Sequence, residues 1–158
     1  MLNKITKLFV KLLSALCIIS IVGLTVIVFA QVISRMISFS LPGTEELARL
    51  LTVWLTFFGA SLAIHEKLHL SVNYFVSLVK ENVRIVIGLI VHALMLVFFA
   101  VLLFYGFKLT IHSMGTTSST LQLPMGLYYM VIPISSIFSI YFIFVKMLDF
   151  FRKGETTV

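Results

Sequence analysis

Four long apolar runs, each bounded by charge, proline or glycine, set the layout of the chain. They cover about residues 12–34, 46–65, 85–107 and 125–148. A hydrocarbon core of ~30 Å is crossed by about 20 helical residues rising ~1.5 Å each, and every run is that long. None alternates with the period of two that marks a membrane barrel strand. Within a bilayer each backbone amide and carbonyl must find its partner inside its own segment, so the runs predict α-helices. The expected fold is an all-α membrane protein, a single four-helix transmembrane domain over residues 1–158.

Two further stretches have a helical period with a polar side. In the first, about 2–11, Leu2, Ile5, Leu8 and Phe9, with Leu12 beyond, share one face, and Lys4, Lys7 and Lys11 share another. In the second, about 69–84 with Leu68 leading in, Leu68, Val72, Phe75, Val76, Val79 and Val83 repeat at helical spacing. Asn73, Ser77, Lys80, Glu81 and Arg84 lie opposite. Helices of this kind lie in the headgroup plane with their apolar face down, so interfacial amphipathic helices are expected beside the four spans. The first run also follows three lysines, as a signal peptide would. It is longer than an h-region of roughly 7–15 residues, which favours a retained span.

Composition supports the bilayer as solvent. Of the 158 residues, 60% are hydrophobic and 11% charged, against about 45–50% and 25% in soluble domains. The net charge of +6 does not imply nucleic acid, because the cations sit at the ends of apolar runs and form no stripe. Nine of the twelve, Lys4, Lys7, Lys11, Lys67, Lys80, Arg84, Lys146, Arg152 and Lys153, fall on one side of the four spans. Arg35, Arg49 and Lys108 fall on the other. The excess of Lys and Arg on cytoplasmic loops predicts that both termini and the middle connection are cytoplasmic. The lone Cys17 has no disulfide partner in the chain.

The sharpest motif is His65-Glu66-Lys67-Leu68-His69. Two His one turn apart with a Glu between them are the pattern of a zinc protease. A catalytic zinc needs a third protein ligand, and no second motif supplies one, so neither metal nor catalytic residues are assigned. Pro42-Gly43-Thr44-Glu45-Glu46 reads as a helix start, with Thr44 as N-cap and two carboxylates in the first turn, where the helix dipole favours anions. Glu45 and Arg49 are spaced to pair. Gln31, Arg35 and Lys108 end spans and can snorkel. His92 is the ionisable group expected near mid-membrane, hydrogen-bonded across the bundle. Pro133 interrupts the fourth run, with Ser135, Ser136 and Ser139 placed to satisfy the carbonyls it frees. No intramembrane carboxylate lies at depth, and no pair of broken half-helices marks a substrate site. A self-sufficient four-helix exporter and an intramembrane zinc protease are therefore the weaker alternatives to a scaffold that works with a partner.

The stretch from Thr44 to Ala63, TEELARLLTVWLTFFGASLA, resembles the signature of the small membrane subunit of TRAP transporters, the tripartite ATP-independent periplasmic transporters. The matching residues are Glu45, Glu46, Arg49, Trp54, Gly59 and Ala60, followed by Lys67 and His69. Leu121-Gln122-Leu123-Pro124, then Tyr128, Tyr129 and Pro133, resemble the family's Leu-x-x-Pro and aromatic-x-x-x-Pro pattern. The chain departs from the family at Gly43-Thr44 and Met125-Gly126, where a Trp is common. The resemblance implies an accessory subunit of the bacterial inner membrane without cofactor or enzymatic activity. It would bind a large membrane subunit that carries the substrate and sodium sites, and help to receive a periplasmic substrate-binding protein. The cargo would be carboxylate-bearing, a sialic acid or a C4-dicarboxylate. Glu45, Glu46, Arg49, Trp54, Gly59, Ala60, His69, Pro124 and Pro133 are the candidate interface residues, with Glu45, Glu46 and Arg49 expected to form one polar network.

Overall fold

Helix accounts for nearly all of the computed structural model, which describes residues 2–39, 41–76 and 81–154, with side chains over 4–39, 41–66 and 86–148. The helices are α1 (Leu2–Met36), α2 (Thr44–Val76), α3 (Glu81–Ser113), the single turn α4 (Gly126–Tyr129) and α5 (Val131–Gly154). Four stretches are long and apolar enough to cross a membrane: Lys4–Met36, Thr44–Glu66, Val86–Ser113 and Gly126–Leu148. The amphipathic segment 2–11 is the start of α1, and the second span continues as helix to Val76. Residues 77–80 of the second amphipathic stretch lie outside the described residues.

Local chemistry explains the breaks. α1 closes with Ser38 in the left-handed region (φ 55°). The Phe39 amide donates to the Ser34 carbonyl at 3.0 Å and the Ser38 amide to the Arg35 carbonyl at 3.3 Å. That pair of bonds is a Schellman end, which satisfies carbonyls the helix leaves open. α2 starts after Gly43 (φ 88°), whose carbonyl accepts the Leu47 amide at 3.1 Å. Thr44 is the first helical residue, and its hydroxyl donates back to the Leu41 carbonyl at 2.9 Å. It therefore does not act as the expected N-cap. Pro133 sits in the first turn of α5, where a missing N–H has no intrahelical acceptor to lose. The fourth span is accordingly interrupted ahead of the proline, at Met130 between α4 and α5.

The spans pack in the order α1, α2, α5, α3. The fourth span is the central one, with 44% of its apolar window buried against 17% for each of the others. Leu13, Phe58, Phe99, Val131, Phe142 and Ile143 fill the core. Ser61, Ser135, Ser136 and Ser139 form a buried polar seam through it. The Ser61 hydroxyl lies 2.9 Å from the Ser135 carbonyl and 2.8 Å from the Ser139 hydroxyl, which ties α2 to α5. Ser135 and Ser136 donate instead to the Ile132 carbonyl, at 3.0 and 2.7 Å. The serines thus satisfy Ile132 and bridge helices; they do not cover carbonyls freed by Pro133.

The α1–α2 and α3–α4 connections meet at one end of the bundle. There Gly43 combines a positive φ with a close neighbour, since an added Cβ would stand 2.7 Å from Leu121 Cδ2. Gly43→Ala is expected to cost about 1–2 kcal/mol from the backbone alone. Gly115→Ala, whose methyl meets open space, is the control. Thermal unfolding of the two variants in detergent checks this; equal melting temperatures would refute the strained loop contact.

Candidate partner interface

The end that holds both connections is organised by one carboxylate. Glu46, in the first turn of α2, reaches across to the segment after α3 and accepts four hydrogen bonds. Oε2 takes the Ser118 hydroxyl and the Leu121 amide (2.9 Å); Oε1 takes the Ser119 hydroxyl (3.0 Å) and the Thr120 amide (3.1 Å). The segment folds back on itself around this clasp. The Ser118 amide donates to the Leu123 carbonyl at 2.9 Å and the Met125 amide to the Thr116 carbonyl at 2.8 Å. These bonds flank an isolated antiparallel bridge between Thr117 and Pro124. Pro124 is thus part of the turn that presents the donors to Glu46.

The three charged candidates diverge. Glu46 turns to the loop. Glu45 pairs with Arg35 of α1 at 3.6 Å, not with Arg49, and both side chains are more than three-quarters exposed. A pair so exposed contributes little. Arg49 is exposed and makes no ion pair among the described residues. The expected single network is absent: Glu45 meets the cation at the end of α1, and Glu46 is taken up by the loop. Between α1 and α2 an open cavity of about 470 Å³ is lined by Gln31, Arg35, Glu45, Glu46, Arg49 and loop residues. The Gln31 Nε2 amide is enclosed there without a hydrogen-bond partner.

Trp54 and the departures from the family pattern have structural reasons. The Trp54 indole N–H donates to the Leu127 carbonyl of α4 at 3.1 Å, and its ring meets Phe58 edge-on at 5.8 Å. It fastens α4 to α2. At Gly126 an added Cβ would lie 2.6 Å from Met114 Sδ and 2.9 Å from the Thr110 carbonyl. A large side chain fits neither there nor at Gly43.

The outward side of α2 is unlike that of its neighbours. Arg49, Thr52, Thr56, Ala60 and Ala63 are exposed in a row at helical spacing, and Gly59 beside them has nothing within 4 Å of an added Cβ. No large hydrophobic residue is exposed on the described part of α2, whereas α1 and α3 expose Ile19, Phe29, Leu94, Phe98 and others. Among Gly59, Ala60, Ser61 and Ala63, only Ser61 faces the core.

The remaining motifs sit elsewhere. His65 stacks against Phe142 at 5.1 Å, at the opposite end of the bundle. The side chains of Lys67 and His69 lie outside the described residues. His92 is buried in α3, and its Nδ1 donates to the Gly88 carbonyl of the same helix at 2.7 Å. Sequence reasoning missed Ser61 and the Ser118–Leu121 donors. A run of hydroxyl residues after a span, Ser118-Ser119-Thr120, was the available signal for a carboxylate partner.

Residues 24–153 match the family described as tripartite ATP-independent periplasmic transporters, DctQ component. A protein of Haemophilus influenzae named as a TRAP transporter small permease is 28% identical over 152 residues, covering 92% of this chain and 92% of that protein. With four spans and a family match over most of its length, the chain belongs to the DctQ component family of the tripartite ATP-independent periplasmic transporters.

Proposed function

We propose that this chain is the scaffold subunit of a sodium-coupled TRAP transporter in a bacterial inner membrane, with both termini cytoplasmic. It binds a large membrane subunit that moves the substrate, and its Glu46-clasped loops help to receive a periplasmic substrate-binding protein. The cargo is a carboxylate-bearing metabolite, a sialic acid or a C4-dicarboxylate. The amphipathic start of α1 and the segment around 69–84 seat the subunit at the cytoplasmic interface.

The observation that carries this reading is the outward side of α2. Lipid-facing helices present large aliphatic side chains, whereas helix–helix contacts in membranes are made by small residues that let backbones approach. The row Thr52, Thr56, Gly59, Ala60 and Ala63 is of the second kind, on a helix whose other side is already used within the bundle. A partner's helix is its natural cover.

Ala60→Leu should therefore reduce co-purification of the large subunit by about fivefold or more, the effect of extra methylenes in a close contact. Ile19→Phe, on the exposed side of α1, should leave it unchanged. Normal co-purification of Ala60→Leu would exclude α2 as the contact. A wild-type chain that emerges from gentle solubilisation alone would exclude the accessory-subunit reading. Uptake of a labelled sialic acid against labelled succinate by the intact complex distinguishes the two cargo classes.

A further inference from the structure

α1, α2 and α5 converge at the end of the bundle opposite the Glu46 clasp. The Phe9 ring meets Phe138 and Tyr141 edge-on, both at 5.2 Å, and the Thr6 and Tyr141 hydroxyls lie 3.2 Å apart. Lys146 is only 7% exposed, and its ammonium donates to the Ile64 carbonyl at 2.6 Å. Among the described residues no carboxylate pairs with it. Next to Ile64, the His65 Nδ1 is buried without a hydrogen-bond partner. Between α1 and this part of α2 lies a groove of about 340 Å³, lined by Thr6, Lys7, Val10, Lys11 and His65. Glu66, the adjacent carboxylate, is exposed and does not line it.

The groove thus lies beside two lysines and an imidazole whose buried nitrogen is unpaired, with a third, buried ammonium behind them. Cationic charge so concentrated, with no carboxylate among the described residues that line the groove, favours an anion. The surroundings say which kind. Lys7, Lys11, Ser14, Ile18 and Ile21 follow one flank of α1 at spacings of three and four, and Ile18 and Ile21 are exposed. From Lys11 to Ile21 the helix rises ~15 Å, half of the ~30 Å hydrocarbon core. A ligand held here has its anionic group at the lysines and an apolar track running to mid-bilayer.

We propose that this groove is a specific site for an anionic phospholipid. Lys7, Lys11 and His65 hold the phosphodiester, and an acyl chain lies along Ile18 and Ile21. Phosphate alone could occupy the polar part, but it would leave the track empty. The bound lipid fastens the start of α1 against α2 and fixes the depth of the subunit. The site does not depend on which side of the membrane this end faces.

Native mass spectrometry of the full chain, alone or in its complex, tests the site with phosphatidylglycerol and phosphatidylcholine at matched concentrations. Phosphatidylglycerol should be retained over phosphatidylcholine. The double variant Lys7→Gln, Lys11→Gln should weaken it by about 25-fold, roughly fivefold for each lysine near a lipid surface. Lys4→Gln removes a charge from the same helix outside the groove and should leave retention unchanged. Millimolar inorganic phosphate should not displace the lipid. Equal retention of the two lipids would overturn the proposal. So would an equal loss in Lys4→Gln, which indicates diffuse attraction only, or displacement by phosphate, which indicates a site for a soluble anion.

Discussion

Glu46→Ala is expected to release the loop after α3 and to abolish most transport while the four spans remain assembled. The carboxylate is the shared acceptor for Ser118, Ser119, Thr120 and Leu121. Two of these donors are backbone amides within a turn that is also tied by the bonds across the Thr117–Pro124 bridge. Hydrogen bonds to a charged acceptor are roughly twice as strong as neutral ones, and four act here together. Amide exchange at Thr120 and Leu121 should accelerate by about tenfold or more once the acceptor is gone. Glu46→Gln should not rescue the loop. Each carboxylate oxygen receives one hydroxyl and one amide, so whichever way the Gln amide is turned, its NH₂ faces one backbone N–H that cannot accept. Glu45→Ala should leave exchange unchanged, because Glu45 meets only an exposed arginine. Protection at Thr120 and Leu121 that survives Glu46→Ala would show that the loop holds itself. If exchange accelerates and uptake stays normal, the clasp has no part in receiving the periplasmic protein.

The contrast between neighbouring glutamates marks the limit of what the sequence discloses. That four helices cross the membrane was legible because the bilayer leaves the backbone few options. The position of α2's start was legible from Pro42-Gly43 and the two carboxylates. Which carboxylate does what was not, because Ser118 lies 72 residues from Glu46 and only tertiary packing brings them together. Local rules offered Thr44 as a cap and Glu45–Arg49 as a pair; the fold used the left-handed Gly43 and the end of α1. Similarly, Gly59, Ala60, Ser61 and Ala63 are all small residues within one stretch of α2. The sequence does not reveal that the helix turns Ser61 inward and leaves Ala60 and Ala63 exposed, since all four suit either environment. Nor does the sequence reveal that Gly43 and Gly126 have no room for a side chain. Leu121 crowds the first position, and Met114 with the Thr110 carbonyl crowds the second.

Adjacent substitutions at Ala60 and Ser61 should separate assembly from folding. Ser61 is fully buried between α2 and α5. When its hydroxyl proton goes to the Ser135 carbonyl, its lone pairs remain to accept the Ser139 hydroxyl. Ser61→Ala removes both links and leaves Ser139 a partner short. In membrane bundles such bonds average ~0.6 kcal/mol and reach ~1.7, so a modest loss is expected. Ser61→Leu adds branched bulk where no space remains, which costs typically ~1–3 kcal/mol or more, and it also destroys the polar link. The α2–α5 seam should open, and with it the joint that Trp54 makes to Leu127 two turns away. Trp54 is the single tryptophan, so its fluorescence during thermal unfolding reads that joint directly. Ser61→Leu should melt well below the wild type, with Ser61→Ala between them. Ala60→Leu should melt like the wild type in the isolated chain, because its side chain points away from the bundle, while losing the large subunit. If Ser61→Leu melts with the wild type, the serine seam does not hold α2 to α5. If Ala60→Leu melts early, α2 is seated differently, and its row of small residues belongs to the bundle itself.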